Sequence, residues 1–123
     1  MILVDTSIWI DHLRRTDEQL SALLGDRNVL GHPFVTGELA LGNLLHRDTV
    51  IGALQELPQA RVATASEVLR LISANSLFAR GIGYTDTHLL AAVLLTPGSA
   101  LWTRDKRLLA VALEMGVARN AAH

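Results

Sequence analysis

The residues best suited to chemistry in this chain are four carboxylates, Asp5, Glu38, Asp86 and Asp105, spread over its whole length. Asp5 directly follows the apolar run Ile2-Leu3-Val4, and Asp105 follows Ala100-Leu101-Trp102-Thr103 closely. Both runs read as strands, so both acids stand where a strand hands over to a helix. Glu38 and Asp86 read as first-turn residues of two further helices that begin on the same side. A single acid in such a position has an ordinary structural explanation, because it caps free N–H groups and complements the helix dipole. Four together do not. Two carboxylates about 4 Å apart repel by on the order of 4 kcal/mol at an effective dielectric near 20, so a cluster of them calls for protons or cations. An all-oxygen ligand set suits Mg²⁺, or Mn²⁺ in its place, better than Zn²⁺. The chemistry that follows is phosphodiester hydrolysis, in which one ion lowers the pKa of an attacking water and another stabilises the leaving oxygen. Because water attacks, the products are expected to carry 5′-phosphate and 3′-hydroxyl ends.

Positioning these acids requires alternating strands and helices. After the strand at Ile2–Val4, a helix is expected from Ser7 to about Arg15 and a second from Asp17 to Leu24, ending near Gly25. Asn28–Leu30 reads as a short strand closed by Gly31 and Pro33. Helical spacing runs from Thr36 to about Leu45 and again from Asp48 to Leu57, where Pro58 stops it. Arg61–Thr64 reads as a strand and Ala65–Arg80 as a long helix, broken by Gly81-Ile82-Gly83. The stretch Thr85–Leu95 is apolar on most sides and is expected to be central and buried. A strand at Ala100–Thr103, a last helix to about Met115 and an edge strand at Val117-Ala118 complete the chain. Alternation of this kind implies an α/β fold, a three-layer α/β/α sandwich around a short parallel sheet with right-handed crossovers. In such sheets, sites form beyond the carboxyl ends of the strands.

The 123 residues, half of them apolar, supply one core, so a single domain spanning 1–123 is expected. The absence of cysteine excludes disulfides, thiolate metal sites and cysteine nucleophiles. No apolar run reaches the length of a membrane span and no signal-peptide pattern precedes the first strand, so a soluble, cytoplasmic protein is expected. The net charge of −1 argues against a simple electrostatic nucleic-acid binder. Two divalent ions on the acids would reverse that sign.

The four acids also lie in recognisable surroundings. Val4-Asp5-Thr6-Ser7 with Trp9 and Ile10, Thr36-Gly37-Glu38-Leu39-Ala40, Tyr84-Thr85-Asp86-Thr87-His88-Leu89-Leu90-Ala91-Ala92, and Leu101-Trp102-Thr103-Arg104-Asp105-Lys106 resemble, in order and spacing, the four acidic motifs of PIN domains. The match covers essentially the whole chain and is similar above all to the VapC toxins of bacterial toxin-antitoxin pairs. No single motif is specific, whereas the ordered set is. The resemblance implies an Mg²⁺- or Mn²⁺-dependent endoribonuclease acting on transfer, ribosomal or messenger RNA. It also implies a homodimer, and inhibition by a VapB-type antitoxin whose tail enters the active-site groove. Metal ligation maps onto Asp5, Glu38, Asp86 and Asp105, with Asp5 and Asp105 nearest the principal ion. Thr103 matches the hydroxyl that supports the acids, a role that Thr6 and Ser7 are expected to share.

Among the remaining polar residues, Arg14, Arg104 and Lys106 are candidate contacts for RNA phosphates, with Arg15, Arg80 and Arg107 also flanking the motifs. His12, His32, His46, His88 and His123 show no metal-binding spacing and are assigned surface or packing roles. Trp9 and Trp102 belong in the core by their apolar neighbours, which leaves Tyr84 as the better candidate for base stacking. Asp11, Asp17 and Asp48 are left outside the site. The competing function is a non-catalytic PIN-like module that binds RNA or an arginine-rich peptide through its carboxylates.

Overall fold

A computed structural model describes residues 1–119, so His123 lies outside the described residues. Its elements are β1 (Ile2–Val4), α1 (Thr6–Arg14), α2 (Glu18–Gly25), β2 (Val29–Leu30), α3 (Pro33–Ala40), α4 (Arg47–Glu56), α5 (Ala65–Ala74), α6 (Tyr84–Leu95), β3 (Ala100–Trp102) and α7 (Lys106–Glu114). The three strands form one parallel sheet in the order β2-β1-β3. Ile2 pairs with Val29 on one side and with Ala100 on the other, and Val4 pairs with Trp102.

Side chains alternate between the faces of a strand. Leu3 and Val4 are neighbours on β1 and both are fully buried, so helices cover both faces of the sheet. This is the α/β sandwich expected from the sequence. Leu3, Ile8, Leu89, Leu90, Leu101 and Leu108 bring β1, α1, α6, β3 and α7 into one core. Each such burial contributes roughly 1.5–3 kcal/mol. In α6 the run from Thr87 to Val93 is buried throughout, as its apolar circumference requires. Among the described residues, no helix is long and apolar enough to cross a membrane.

Several boundaries differ from the sequence reading. α3 begins at Pro33 rather than Thr36 and stops at Ala40. Proline is tolerated at the first helical position, where its missing N–H is unused, and His32 caps the helix by accepting the Phe34 N–H at Nδ1, 3.0 Å away. Glu38 consequently lies in the second turn of α3, as the sixth of its eight residues, and not in a first turn. α5 ends at Ala74 instead of continuing to Arg80. Ser76 takes a left-handed φ of 51°, and the Leu77 and Ser76 N–H groups close back onto the carbonyls of Ile72 and Ser73. That is a Schellman stop made without glycine.

Residues 61–64 form no strand. The extra pairing on that side of the sheet is a single parallel bridge from Gly31 to Gln59, and a similar bridge joins Leu101 to Ala118 in place of a full edge strand. At Gly31 an added Cβ would fall 2.5 Å from the Gln59 side-chain amide and 3.1 Å from the Leu54 carbonyl, so a larger residue there would push the Gln59 side chain aside.

Candidate metal centre

The chain leaves β1 at Val4, and Asp5 is at once strand end and N-cap of α1. Its main-chain N–H still donates to the Trp102 carbonyl of β3 at 2.9 Å, which extends the ladder by one residue. Its carboxylate is 7% exposed and fully engaged. Oδ1 accepts the Thr6 N–H at 2.8 Å. Oδ2 accepts the Thr103 hydroxyl at 2.8 Å and the Ser7 hydroxyl at 3.3 Å.

Thr103 stands one residue beyond β3 on the adjacent strand. The same buried hydroxyl that donates to Asp5 accepts the Asp105 N–H at 3.1 Å. One threonine oxygen thus ties the two acids together across the sheet. Asp105 caps α7 through Oδ1, which accepts the N–H groups of Arg107 at 2.9 Å and Leu108 at 3.0 Å. Its other oxygen makes no hydrogen bond among the described residues. The connections from β1 and from β3 diverge at this edge, the place where open parallel sheets form their sites.

Asp86 is the third residue of α6. Its Oδ2 accepts the Gly83 N–H at 3.0 Å, which closes the first turn back onto the loop. Burial pushes its carboxyl pKa above the usual carboxylate range, and the charges of Asp5, Asp105 and Glu38 push it the same way against the Gly83 N–H. All three other acids therefore act on Asp86 through space. Glu38 is exposed on α3 and makes no hydrogen bond among the described residues. Beside it runs a cleft of about 400 Å³ lined by Ile10, Leu13, Arg14, Leu39 and Leu45 among others.

Whether these residues suit a cation can be judged from their donors and their field. The donors are all carboxylate oxygen, and to the burial that raises the Asp86 pKa the charges of Asp5, Asp105 and Glu38 add a repulsion of the kind that a hard divalent ion relieves. They are not drawn into a closed cage, since among the described residues no three Asp, Glu or His side chains stand close enough together to enclose an ion. Asp5, Asp86 and Asp105 are each held by a cap of their own helix. In donor chemistry and charge the quartet fits Mg²⁺ or Mn²⁺.

The other candidates divide. Ser7 and Thr103 support Asp5 by their hydroxyls, whereas Thr6 does so by its main-chain N–H. The Thr6 hydroxyl is buried without a hydrogen-bond partner. Arg104 is already committed, with Nη1 2.6 Å from Asp11 and Nη2 2.7 Å from Asp17. It thereby staples the β3–α7 turn to the α1–α2 turn. Arg14 lines the cleft with Glu38, and Lys106 is exposed beside Asp105. Trp9 and Trp102 are buried, as their surroundings implied.

His32 and His88 carry more of the architecture than the sequence revealed. Tyr84 stands edge-on to His88 with ring centroids 4.7 Å apart, His88 packs on Phe34 at 4.4 Å, and Phe34 meets His32 at 5.3 Å. This column joins the start of α6 to the start of α3, the two helices that bring Asp86 and Glu38. Burial, reinforced by the charge of His88, lowers the His32 pKa to about 4, so its imidazole is neutral near pH 7. A histidine immediately before a helix-starting proline was the available signal.

Comparison with protein-family models gives no match. Two curated proteins do match, ribonuclease VapC32 from Mycobacterium tuberculosis strain CDC 1551 / Oshkosh and from strain ATCC 25618 / H37Rv. Each is 52% identical to this chain over 118 residues, which covers 96% of the chain and 95% of the relative. At that identity and coverage, with an α/β sandwich that links Asp5 and Asp105 beyond β1 and β3, the chain belongs to the VapC ribonuclease family.

Proposed function

We propose that this protein is the endoribonuclease toxin of a VapBC pair, a single PIN domain that hydrolyses RNA phosphodiester bonds with Mg²⁺ or Mn²⁺ on Asp5, Glu38, Asp86 and Asp105. The observation that carries this reading is the single Thr103 hydroxyl that joins Asp5 and Asp105 beyond β1 and β3, with the charges of Asp5, Asp105 and Glu38 all reaching Asp86. An ion on these carboxylates supplies a water nucleophile at neutral pH and neutralises charge on the phosphate. The chain's own part is to hold the acids. Asp5 is held by Thr6, Ser7 and Thr103, Asp105 is set beside it through the Thr103 hydroxyl, and Glu38 and Asp86 come from α3 and α6. Water adds to phosphorus, the bond to the 3′-oxygen breaks, and that oxygen leaves as a hydroxyl. The products carry 5′-phosphate and 3′-hydroxyl ends.

Ile10, Leu13, Leu41 and Leu45 are exposed large apolar residues, and all but Leu41 line the cleft that reaches Glu38. An apolar lip beside an acidic centre supports an antitoxin segment that covers the groove with apolar side chains and offers a cation to the carboxylates. The protein is further proposed to act as a homodimer in the cytoplasm, on transfer, ribosomal or messenger RNA. The test is incubation of total bacterial RNA with antitoxin-free protein in Mg²⁺ or Mn²⁺, beside EDTA and Asp5→Ala controls. Discrete fragments with 5′-phosphate ends, absent from both controls, are expected. Intact RNA with metal-loaded protein that still binds RNA or a basic peptide would make this a binding module instead.

A further inference from the structure

The acidic quartet can hold an ion but repels the nucleotide that must approach it, so some other group has to hold the RNA strand. Resting on the ribonuclease reading above, we propose that the loop at 81–84 and the first turn of α7 form a nucleotide subsite. In it the Tyr84 ring supports a base and the Arg107 guanidinium takes a backbone phosphate.

Arg107 begins two residues after Asp105 and gives that acid its main-chain N–H at 2.9 Å. Its side chain then reaches across to the loop that delivers Asp86. A Cβ built on Gly81 would lie 2.7 Å from Arg107 Nη1 and 3.1 Å from Cζ, so the guanidinium is pressed against the bare backbone of that glycine. Gly81 also has a φ of 80°, a conformation that favours glycine there. The guanidinium thus lies between the connections that carry Asp86 and Asp105.

Neighbouring arginines are spent on carboxylates. Arg104 pairs with Asp11 and Asp17, and Arg80 pairs with Glu114 at 2.8 Å. Arg107 has no ion pair among the described residues and is exposed. Its planar fork of donors is the geometry that grips a phosphate.

Tyr84 opens α6 two residues before Asp86 and is 50% exposed. Its ring is braced by His88 in a T-shaped contact at an interplanar angle of 84°. His88 in turn rests on Phe34, one helical turn before Glu38 on α3. A ring fixed in advance gives up little freedom when a base stacks on it, and stacking accepts any base. Base and phosphate are thus offered a place by residues adjacent in space to Asp86 and Asp105 but separate from the metal ligands.

The experiment measures binding of a fluorescein-labelled, mixed-sequence single-stranded RNA of about 20 nucleotides, long enough for one binding site. Binding is measured in Ca²⁺ over a range of salt, together with cleavage of total bacterial RNA by the same wild-type preparation. Tyr84→Ala is expected to weaken binding by roughly tenfold, within the range for one lost stacked base, and to leave the salt dependence unchanged. Arg107→Ala is expected to weaken binding and to lower the slope of log K against log salt by about 0.7, one phosphate contact on a single strand. Arg107→Lys should recover the slope but only part of the affinity. Arg61→Ala is the control, because the Arg61 N–H bonds Thr96 at the far end of α6, about 18 Å of helix from Tyr84, and it should bind as wild type. Thermal melting of each variant confirms its fold. If wild-type protein cuts RNA while either Tyr84→Ala or Arg107→Ala binds with wild-type affinity and slope, the subsite is overturned and the ribonuclease stands. If wild-type protein neither cuts nor binds RNA, both fall.

Discussion

The two halves of the acidic centre are built in different ways. Asp5 and Asp105 follow adjacent strands of one sheet and are joined through the Thr103 hydroxyl, with Asp5 buried and both its carboxylate oxygens engaged. Glu38 and Asp86 come from helices, and their relative placement rests on the aromatic and imidazole column between α3 and α6. In the first half, backbone register sets the geometry before any ion arrives. In the second, Glu38 makes no hydrogen bond among the described residues, and Asp86, capped through one oxygen by the Gly83 N–H, feels the charges of the other acids. On the function proposed above, the first half would define where an ion sits and the second would adjust to it. Ordered ligands supported by hydrogen bonds are what fix a metal's position.

The largest effect should come from breaking the rigid half. Asp5→Asn keeps the shape and the Thr6 cap but removes the charge, and RNA cleavage should fall by at least about a hundredfold, beyond what loss of a mere supporting residue costs. Product yield on total RNA at fixed time measures this. Thr103→Val is next. It leaves Asp5 one hydrogen bond short and unties it from Asp105, so Mn²⁺ affinity should drop by roughly 10- to 100-fold while the fold persists. Calorimetric titration with Mn²⁺ checks it.

The adjustable half should respond to acid through its architecture. His32 is buried and neutral with a pKa lowered to about 4, against about 6.5 when unfolded. The unfolded chain therefore binds more protons between those values, and stability rises with pH across that window. The His32 contribution is complete above about pH 6.5 and is lost as pH falls towards 4. Melting temperatures from pH 7 to pH 4.5 should decline more steeply for wild type than for His32→Asn, which keeps a capping side chain on α3 without the titration. Equal slopes would remove His32 from the account. The smallest effect belongs to Arg104→Ala. The staple to Asp11 and Asp17 is about half-exposed, so its loss should cost about 1 kcal/mol or less, and the salt dependence of RNA binding should not change.

The same contrast decides how much of the molecule was legible in the sequence. Strands β1 and β3 announced themselves as short apolar runs, and with them Asp5 and Asp105, because a parallel sheet fixes which edge the next residue meets. α6 was legible because a helix apolar all round has nowhere to go but the core. The α3 side was harder. Pro33 read as a terminator, although it occupies the first position of a helix, and this displaced Glu38 by a turn. The stop after α5 lacked glycine or proline at the decisive position, since Ser76 adopts the left-handed conformation itself. Nothing in the spacing separates Arg104, consumed by two carboxylates, from Arg107, which is free of them. That distinction arises only when the α1–α2 turn and the loop at 81–83 fold against α7.

The most direct test of a shared site is a Mn²⁺ titration, followed by calorimetry, of the wild-type protein and of Asp5→Asn, Glu38→Gln, Asp86→Asn and Asp105→Asn. Saturable binding weakened by each of the four substitutions is the expected result. Binding that loses nothing in Glu38→Gln and Asp86→Asn, or no binding by the folded wild type, would contradict a single centre made by all four acids.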